Sequence, residues 1–394
     1  MLSQYKLKDY NFKLVFALII LSTLGVMLVN SADSSLRNRQ LAGVIAGVII
    51  MVILSLVDYS WILNFYKIIY IVNLVILVLV LITGTAKNGA SRWIEFGGMQ
   101  FQPTEISKIF LILFFSMYLM LHEEILNTFP SLVRSAGLLA IPLFLIISQP
   151  DLKNTITIAF IVFLLFYVAG LSYKTIFQFL LAVIVIGGVA LLLITRTNLP
   201  IVKDYQRDRI MTYFNPEDEE YSEDAIQQSN SITAIGSGQL AGKGLSNNEV
   251  STSNKGNFVA ELQNDFIFAV AGEELGFIGC AFIVFLLLFI VYECIKTGRT
   301  AKDVSGVLVC TGIASLVAVQ SFINICVATG LFPNTGTPLP FVSYGLTSLL
   351  SMYIGMGIVL NIGLQNKNYY IYETNQVKRR RISRFRTVLQ RFNS

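Results

Sequence analysis

Histidine is almost missing from this chain, which has only His122. A single imidazole at the end of an apolar stretch cannot build a histidine-based metal centre, and it reads as structural rather than catalytic. Cysteine is scarce as well. Cys280, Cys294, Cys310 and Cys326 fall in or beside apolar stretches, with no CxxC pair and no histidine partner. That argues against a zinc site or a disulfide framework and leaves them as small apolar fillers. Charge is the third shortage. Only 13% of the residues are charged, against 54% hydrophobic, which excludes an ordinary soluble protein of this size. No small-residue cleavage site follows the first apolar run, so that run is expected to stay as an anchor rather than leave as a signal peptide. The apolar runs do not alternate with polar residues, which excludes an outer-membrane barrel. Lys243 lies between Gly242 and Gly244, but the spacing of a P-loop and the fold around it are both missing. Nothing in the chain points to nucleic acid.

Long continuous apolar runs are present instead. Runs of spanning length cover residues 12–30, 40–57, 65–83, 104–121, 133–148, 155–170, 174–194, 266–292, 304–329 and 341–364. Each is close to the ~20 residues a bilayer requires. The expectation is an all-α integral membrane protein with ten transmembrane helices, forming one polytopic domain over residues 1–394. Lys6, Lys8 and Lys13 precede or open the first run, and Lys367, Lys378, Arg379, Arg380, Arg381, Arg384, Arg386 and Arg391 crowd the tail against Glu373. Basic flanks stay inside, so both termini are placed in the cytoplasm, with tail 366–394 on the anionic inner leaflet. The large loop 195–265 between the seventh and eighth helices then lies outside. It is acidic, and residues 215–224 (NPEDEEYSED) read as a solvated, mobile face.

Polar groups gather at the outer ends of the helices. In NGASRWIEFGGMQFQPTEISK, residues 88–108, Pro103 suits the first turn of a helix, and Glu105 and Lys108 share one face of it. They form either an ion pair that offsets its own burial or the wall of a polar cavity. Arg92 beside Trp93 suits a phosphate at headgroup level. Asp151, after Pro150, is either a helix cap or a site residue. Lys243, in SNSITAIGSGQLAGKG, is placed to meet a phosphate. The segment GLFPNTGTPLPFVSYG, residues 330–345, has three prolines and no charge, which predicts a partly re-entrant loop satisfied by protein or by a wet cavity. Asp265 stands where the long polar loop becomes the eighth apolar run, at a partly desolvated depth close to a helix N-terminus.

The segments NGASRWIEFGGMQFQPTEISK, QPDL, AIGSGQLAGKG, NDFIFAVAGEELGFIG and TGTPLPFVSYG resemble, in order and spacing, the signature segments of the SEDS family (shape, elongation, division and sporulation), which includes RodA and FtsW. DYQRDRIMTYFNPE and the short N-terminus look more like RodA than FtsW. The resemblance implies a ten-helix bundle and a peptidoglycan glycosyltransferase that polymerises lipid II through β-1,4 bonds and releases undecaprenyl pyrophosphate. It implies Asp265 as the essential aspartate, with Glu261, Arg92, Glu105, Lys108, Asp151 and Lys243 as matching substrate-site residues. It also implies a class B penicillin-binding protein as partner, within an elongation or division machinery. The chain departs from the pattern at three places: Gln263-Asn264 stands for His-Thr, Lys153-Asn154 for Gly-Thr, and Leu346 for a second glycine.

Forming a β linkage from an α-linked lipid pyrophosphate inverts the anomeric carbon, so one in-line displacement suffices. It needs a base for the acceptor hydroxyl and positive charge for the leaving pyrophosphate. Asp265 is the candidate base. Arg92, Lys108 and Lys243 are the candidate pyrophosphate partners, with a divalent cation (magnesium or manganese) as a further candidate. A retaining route needs a second carboxylate close by, and Glu261 is the obvious one. Two other readings use the same groups differently. A lipid II flippase needs the cavity and its cations but no base, and a non-catalytic scaffold for a penicillin-binding protein needs neither.

Overall fold

The computed structural model describes residues 10–87, 90–96, 99–196, 222–245 and 262–365. Apolar runs too long for strands form helices. In chain order these are α1 Phe12–Ala32, α2 Arg37–Ser55, α3 Tyr59–Asn64, α4 Tyr66–Thr83, α5 Pro103–Leu121, α6 Phe129–Ser148, α7 Leu152–Ala169, α8 Tyr173–Arg196, α9 Ser222–Ser237, α10 Ile267–Thr300, α11 Val304–Ala328 and α12 Leu346–Leu364. Among the described residues, nine helices are long and apolar enough to cross a membrane. Helix α8, of 24 residues, coincides with the remaining predicted span. Helix α6 continues through Pro142.

Burial separates core from periphery. Inside the protein lies 72% of the apolar stretch of α5 and of α12, and 67% of that of α11, against 22% for α4 and α6. Helices α5, α11 and α12 therefore form the centre, and α4 and α6 face outward. Between apolar helices close approach replaces the hydrophobic drive of water. On α2, a Cβ at Gly47 would come within 2.2 Å of the Tyr353 ring of α12. The Tyr353 hydroxyl in turn shares a 2.7 Å hydrogen bond with Ser22 Oγ of α1.

A small sheet interrupts the helices at the C-terminal end of α4. Strands β1 Thr85–Lys87, β2 Ala90–Phe96 and β3 Met99–Phe101 pair antiparallel in sequence order. This sheet was not among the expectations from the sequence. The hairpin signal is in the sequence: Asn88-Gly89 and Gly97-Gly98 fall between the strand segments, and such pairs favour tight turns.

Part of the predicted outer loop is structured. Helix α9 packs along α10, and it caps the C-terminal end of α11. Ser231 Oγ donates to Ala328 O at 2.8 Å, and Gln228 Nε2 donates to Val327 O at 2.9 Å and Phe332 O at 2.7 Å. Residues 238–244 then splint a break in α10. Gly276 there has φ 65° and ψ −166°, a conformation that glycine tolerates and other residues do not. The amides freed by the break find new partners: Phe277 N donates to Gln239 O at 2.9 Å and Ile278 N to Leu240 O at 3.1 Å. The freed carbonyls do too, since Glu273 O accepts from Lys243 N at 2.9 Å and Glu274 O from Gly244 N at 3.0 Å.

Residues 330–345 dip into the bundle. Thr337, Leu339, Phe341, Val342 and Ser343 are buried, and a Cβ at Gly25 of α1 would meet Phe341 O at 2.7 Å. Protein satisfies this backbone, as a re-entrant segment requires. Ser343 O accepts from Gln40 Nε2 at 3.2 Å, and Ser343 Oγ accepts from Leu339 N at 2.7 Å.

Candidate functional site

One face of the bundle collects the N-termini of α5, α7, α10 and α12, together with the re-entrant segment. Gln102, just before α5, joins three of these. Its amide N donates to Thr347 Oγ1 of α12 at 3.3 Å, and its Nε2 donates to Asp151 Oδ2 at 3.2 Å. Asp151 is fully buried and caps α7. Its Oδ2 also accepts from Thr104 Oγ1 at 3.2 Å and Asn154 Nδ2 at 2.7 Å. The carboxylate thus fastens the start of α5 to the start of α7, in the capping arrangement that the sequence allowed.

Glu105 and Lys108 lie one turn further down α5, both buried. Lys108 Nζ donates to Glu105 Oε1 at 2.8 Å. Glu105 Oε2 is buried with no hydrogen-bond partner among the described residues. An acceptor left open in this way is costly in a sealed core and belongs beside a wet or ligand-filled space. The charges of Lys153 and Asp151 act on Lys108 as well, so the cluster is electrostatically continuous.

Asp265 precedes α10 by two residues in a turn, and it is partly exposed. Its backbone is tied down from two sides. Asn324 Nδ2 of α11 donates to Asp265 O at 2.8 Å and to Thr337 O at 2.7 Å, and Tyr344 N donates to Gln263 O at 2.8 Å. Its carboxylate lies over Gly336, where a Cβ would be 3.0 Å from Oδ2. Lys153, in the first turn of α7, reaches the same glycine from the other side, and its Nζ donates to Gly336 O. Sequence reasoning singled out neither Lys153 as a site residue nor Asn324. The only signal for Lys153 was its departure from the pattern around Asp151.

The site therefore brings Asp265, Glu105, Lys108 and Asp151 to one face, with Lys153 and Asn324 added. Lys243 is engaged elsewhere, 2.7 Å from the buried Glu273 Oε1, where it secures the splint on α10. Arg92 is on β2, where only the backbone is described. Glu261 lies outside the described residues. Among those residues no group of three or more His, Cys, Asp or Glu side chains is placed to hold a metal ion.

What such a face can do follows from its charges. Four helix N-termini present partial positive charge, each favouring an anion by about 0.3–1 kcal/mol. The ammonium groups of Lys108 and Lys153 add to that, and the partly exposed Asp265 carboxylate shares Gly336 with Lys153. The combination suits a diphosphate beside a group that must lose a proton.

Residues 10–368 match the model of the FtsW/RodA/SpoVE cell cycle protein family. The chain is 31% identical to the probable peptidoglycan glycosyltransferase FtsW of Bacillus subtilis (strain 168), covering 95% of this chain and 94% of that protein. It is 34% identical to the stage V sporulation protein E of the same organism, over 89% of this chain and 95% of that one. Among solved structures it is similar to a chain of a peptidoglycan synthase complex that coordinates polymerization and crosslinking, with a TM-score of 0.76 and 26% identity over 93% of this chain and 99% of the other. It is also similar to the rod shape determining protein RodA of Thermus thermophilus, with a TM-score of 0.67 and 25% identity over 91% and 97% of the two chains.

Proposed function

The chain belongs to the FtsW/RodA/SpoVE family, also called SEDS, and from that premise we infer that it is a multi-pass membrane peptidoglycan glycosyltransferase. It polymerises glycan strands from lipid II by one inverting displacement and releases undecaprenyl pyrophosphate. Relatives bearing the FtsW, SpoVE and RodA names all match, so the family assignment extends to elongation, division and sporulation roles alike.

The observation that carries the reading is the setting of Asp265. It is a partly exposed carboxylate, fixed through its backbone by Asn324, beside the Lys153 ammonium over Gly336 and on the face that holds the N-termini of α5, α7 and α12. Asp265 takes the proton of the acceptor hydroxyl, a contribution of about 10²–10⁴-fold for one placed base. Lys108, with Arg92 from β2, meets the leaving pyrophosphate as its charge develops. Glu105 holds the Lys108 ammonium in place and keeps one oxygen open to the substrate. Asp151 acts through position, by fixing α5 against α7. Lys243 acts on the break in α10 instead of on phosphate. Glu261 stays an expected substrate contact. A divalent cation, magnesium or manganese, stays a candidate aid to the leaving pyrophosphate: among the described residues no group of three or more His, Cys, Asp or Glu gathers to hold one, and Glu261 lies outside them.

The partner is a class B penicillin-binding protein, in keeping with the polymerization and crosslinking complex to which the chain is similar. Both termini are cytoplasmic, and the site opens on the outer face of the bacterial plasma membrane. The test is the wild-type protein against Asp265→Asn, each with labelled lipid II and the cognate transpeptidase, with products resolved on a gel. Ladders from the wild type alone are expected. Equal ladders from both remove Asp265 as the base. No ladder from the wild type removes the polymerase reading and favours a flippase or a scaffold.

A further inference from the structure

Lys153 links α7 to the re-entrant segment beside Asp265. It leaves the first turn of α7, two residues past the Asp151 cap, and donates to Gly336 O of the re-entrant segment. The point where a Cβ would stand on Gly336 is 3.0 Å from Asp265 Oδ2 and 3.5 Å from Lys153 Nζ. Since both distances meet at one point, the two charged atoms are at most about 6.5 Å apart, a range at which an ammonium favours the ionised form of a carboxylate. Gly336 has φ 69° and no side chain, and this lets both groups close over its Cα. The 330–345 segment brings no charge of its own. Helix α11 presents Asn324, and the turn before α10 presents Gln263 and Asn264. Beyond Lys153 stand Lys108 and Glu105 on α5 and Asp151 on α7.

We infer that Lys153 is a positioning residue for the reaction: its ammonium, anchored on the Gly336 carbonyl, holds the Asp265 carboxylate ionised and in place above the re-entrant segment. This rests on the reading of Asp265 as base. An ionised base accepts the acceptor proton over a wider pH range, so the charge of Lys153 extends polymerisation toward acid.

The test is the pH profile of glycan polymerisation by the full-length chain with its transpeptidase, from labelled lipid II, for wild type, Lys153→Met, Lys153→Arg and Asp265→Asn. Loss of the ammonium should move the acid limb of Lys153→Met up by about one pH unit, with rates about tenfold below wild type on that limb and recovery as the pH rises. Lys153→Arg should restore the wild-type limb. Should Lys153→Met not fold, Lys153→Gln, which keeps a donor to Gly336 without the charge, is expected to show the same shift. A profile that superimposes on wild type, or a uniform loss at every pH, overturns the role of Lys153. Activity in Asp265→Asn overturns the base itself, which separates the two failures.

Discussion

The bundle has a polar cluster at each end, and they are built differently. At the end away from Asp265, Asn361 of α12 is a closed hub. Its Oδ1 accepts from Tyr59 N at 2.9 Å and Gln365 Nε2 at 3.0 Å, and its Nδ2 donates to Ser55 O at 2.8 Å. Asp303 caps α11 there, accepting from Gly306 N at 2.8 Å and Ser305 Oγ at 2.7 Å. Lys302 rests 4.6 Å from the centre of the Tyr59 ring. At the other end, Glu105 Oε2 stays open, two lysines gather, and a carboxylate is partly exposed beside them. Both clusters hold helices together. Only the second gathers its charges around a re-entrant segment, and that placement distinguishes a site from a joint.

The largest effect on stability should come from separating the buried pair of the site. Glu105→Gln leaves the Lys108 charge uncompensated and should cost about 3–5 kcal/mol, read as a lower unfolding temperature in detergent. The double variant with Lys108→Met should recover most of that stability but not the activity. A double variant that polymerises like wild type would make this pair a joint as well. Next comes Asn361→Ala, which strands the buried Tyr59 amide and should cost about 1–3 kcal/mol, with the rate per folded molecule unchanged. Gly336→Ala should be smaller in stability, about 1–2 kcal/mol for a left-handed alanine. It should still cut polymerisation sharply, because the new Cβ would stand 3.0 Å from Asp265 Oδ2.

The smallest effect belongs to Asp58, which is 37% exposed and 3.8 Å from Lys302. Burial opposes its charge, but hydrogen bonds with Gln365 and Ser60 and the Lys302 ammonium outweigh that and lower its pKa from 3.8. A carboxylate lowered on folding lends stability above the unfolded value and loses it as the pH falls through the folded one. Asp58→Asn should therefore cost at most about 0.5 kcal/mol at neutral pH. The difference from wild type should fade in thermal melts as the pH falls below 3.8 and through the lowered pKa.

The sequence made much of this legible, for physical reasons that can be named. Continuous apolar runs cannot be satisfied in lipid except as helices, so their positions were plain. Glu105 and Lys108, three apart on one helix, could be paired from spacing alone. Asp151 after a proline could be read as a cap. Asp265 stood out at the junction of a polar loop and an apolar run. Other features depended on contacts distant in sequence. Lys243 meets Glu273, 30 residues away, and the turn that carries it exists to complete a break at Gly276 that no local pattern announces. Lys153 meets Gly336, 183 residues away. The sheet at 85–101 is written in short segments that lie between two long apolar runs, where only the Asn-Gly and Gly-Gly pairs hint at hairpins.

The most direct measurement sets the two ends of the bundle against each other: the rate of glycan polymerisation from labelled lipid II by Asp265→Asn and by Asn361→Ala, each per folded molecule. A drop of about 10²–10⁴-fold in the first, with the second within about twofold of wild type, is the predicted result. Equal losses in both, or an active Asp265→Asn, would contradict the assignment of the chemistry to the face that holds Asp265.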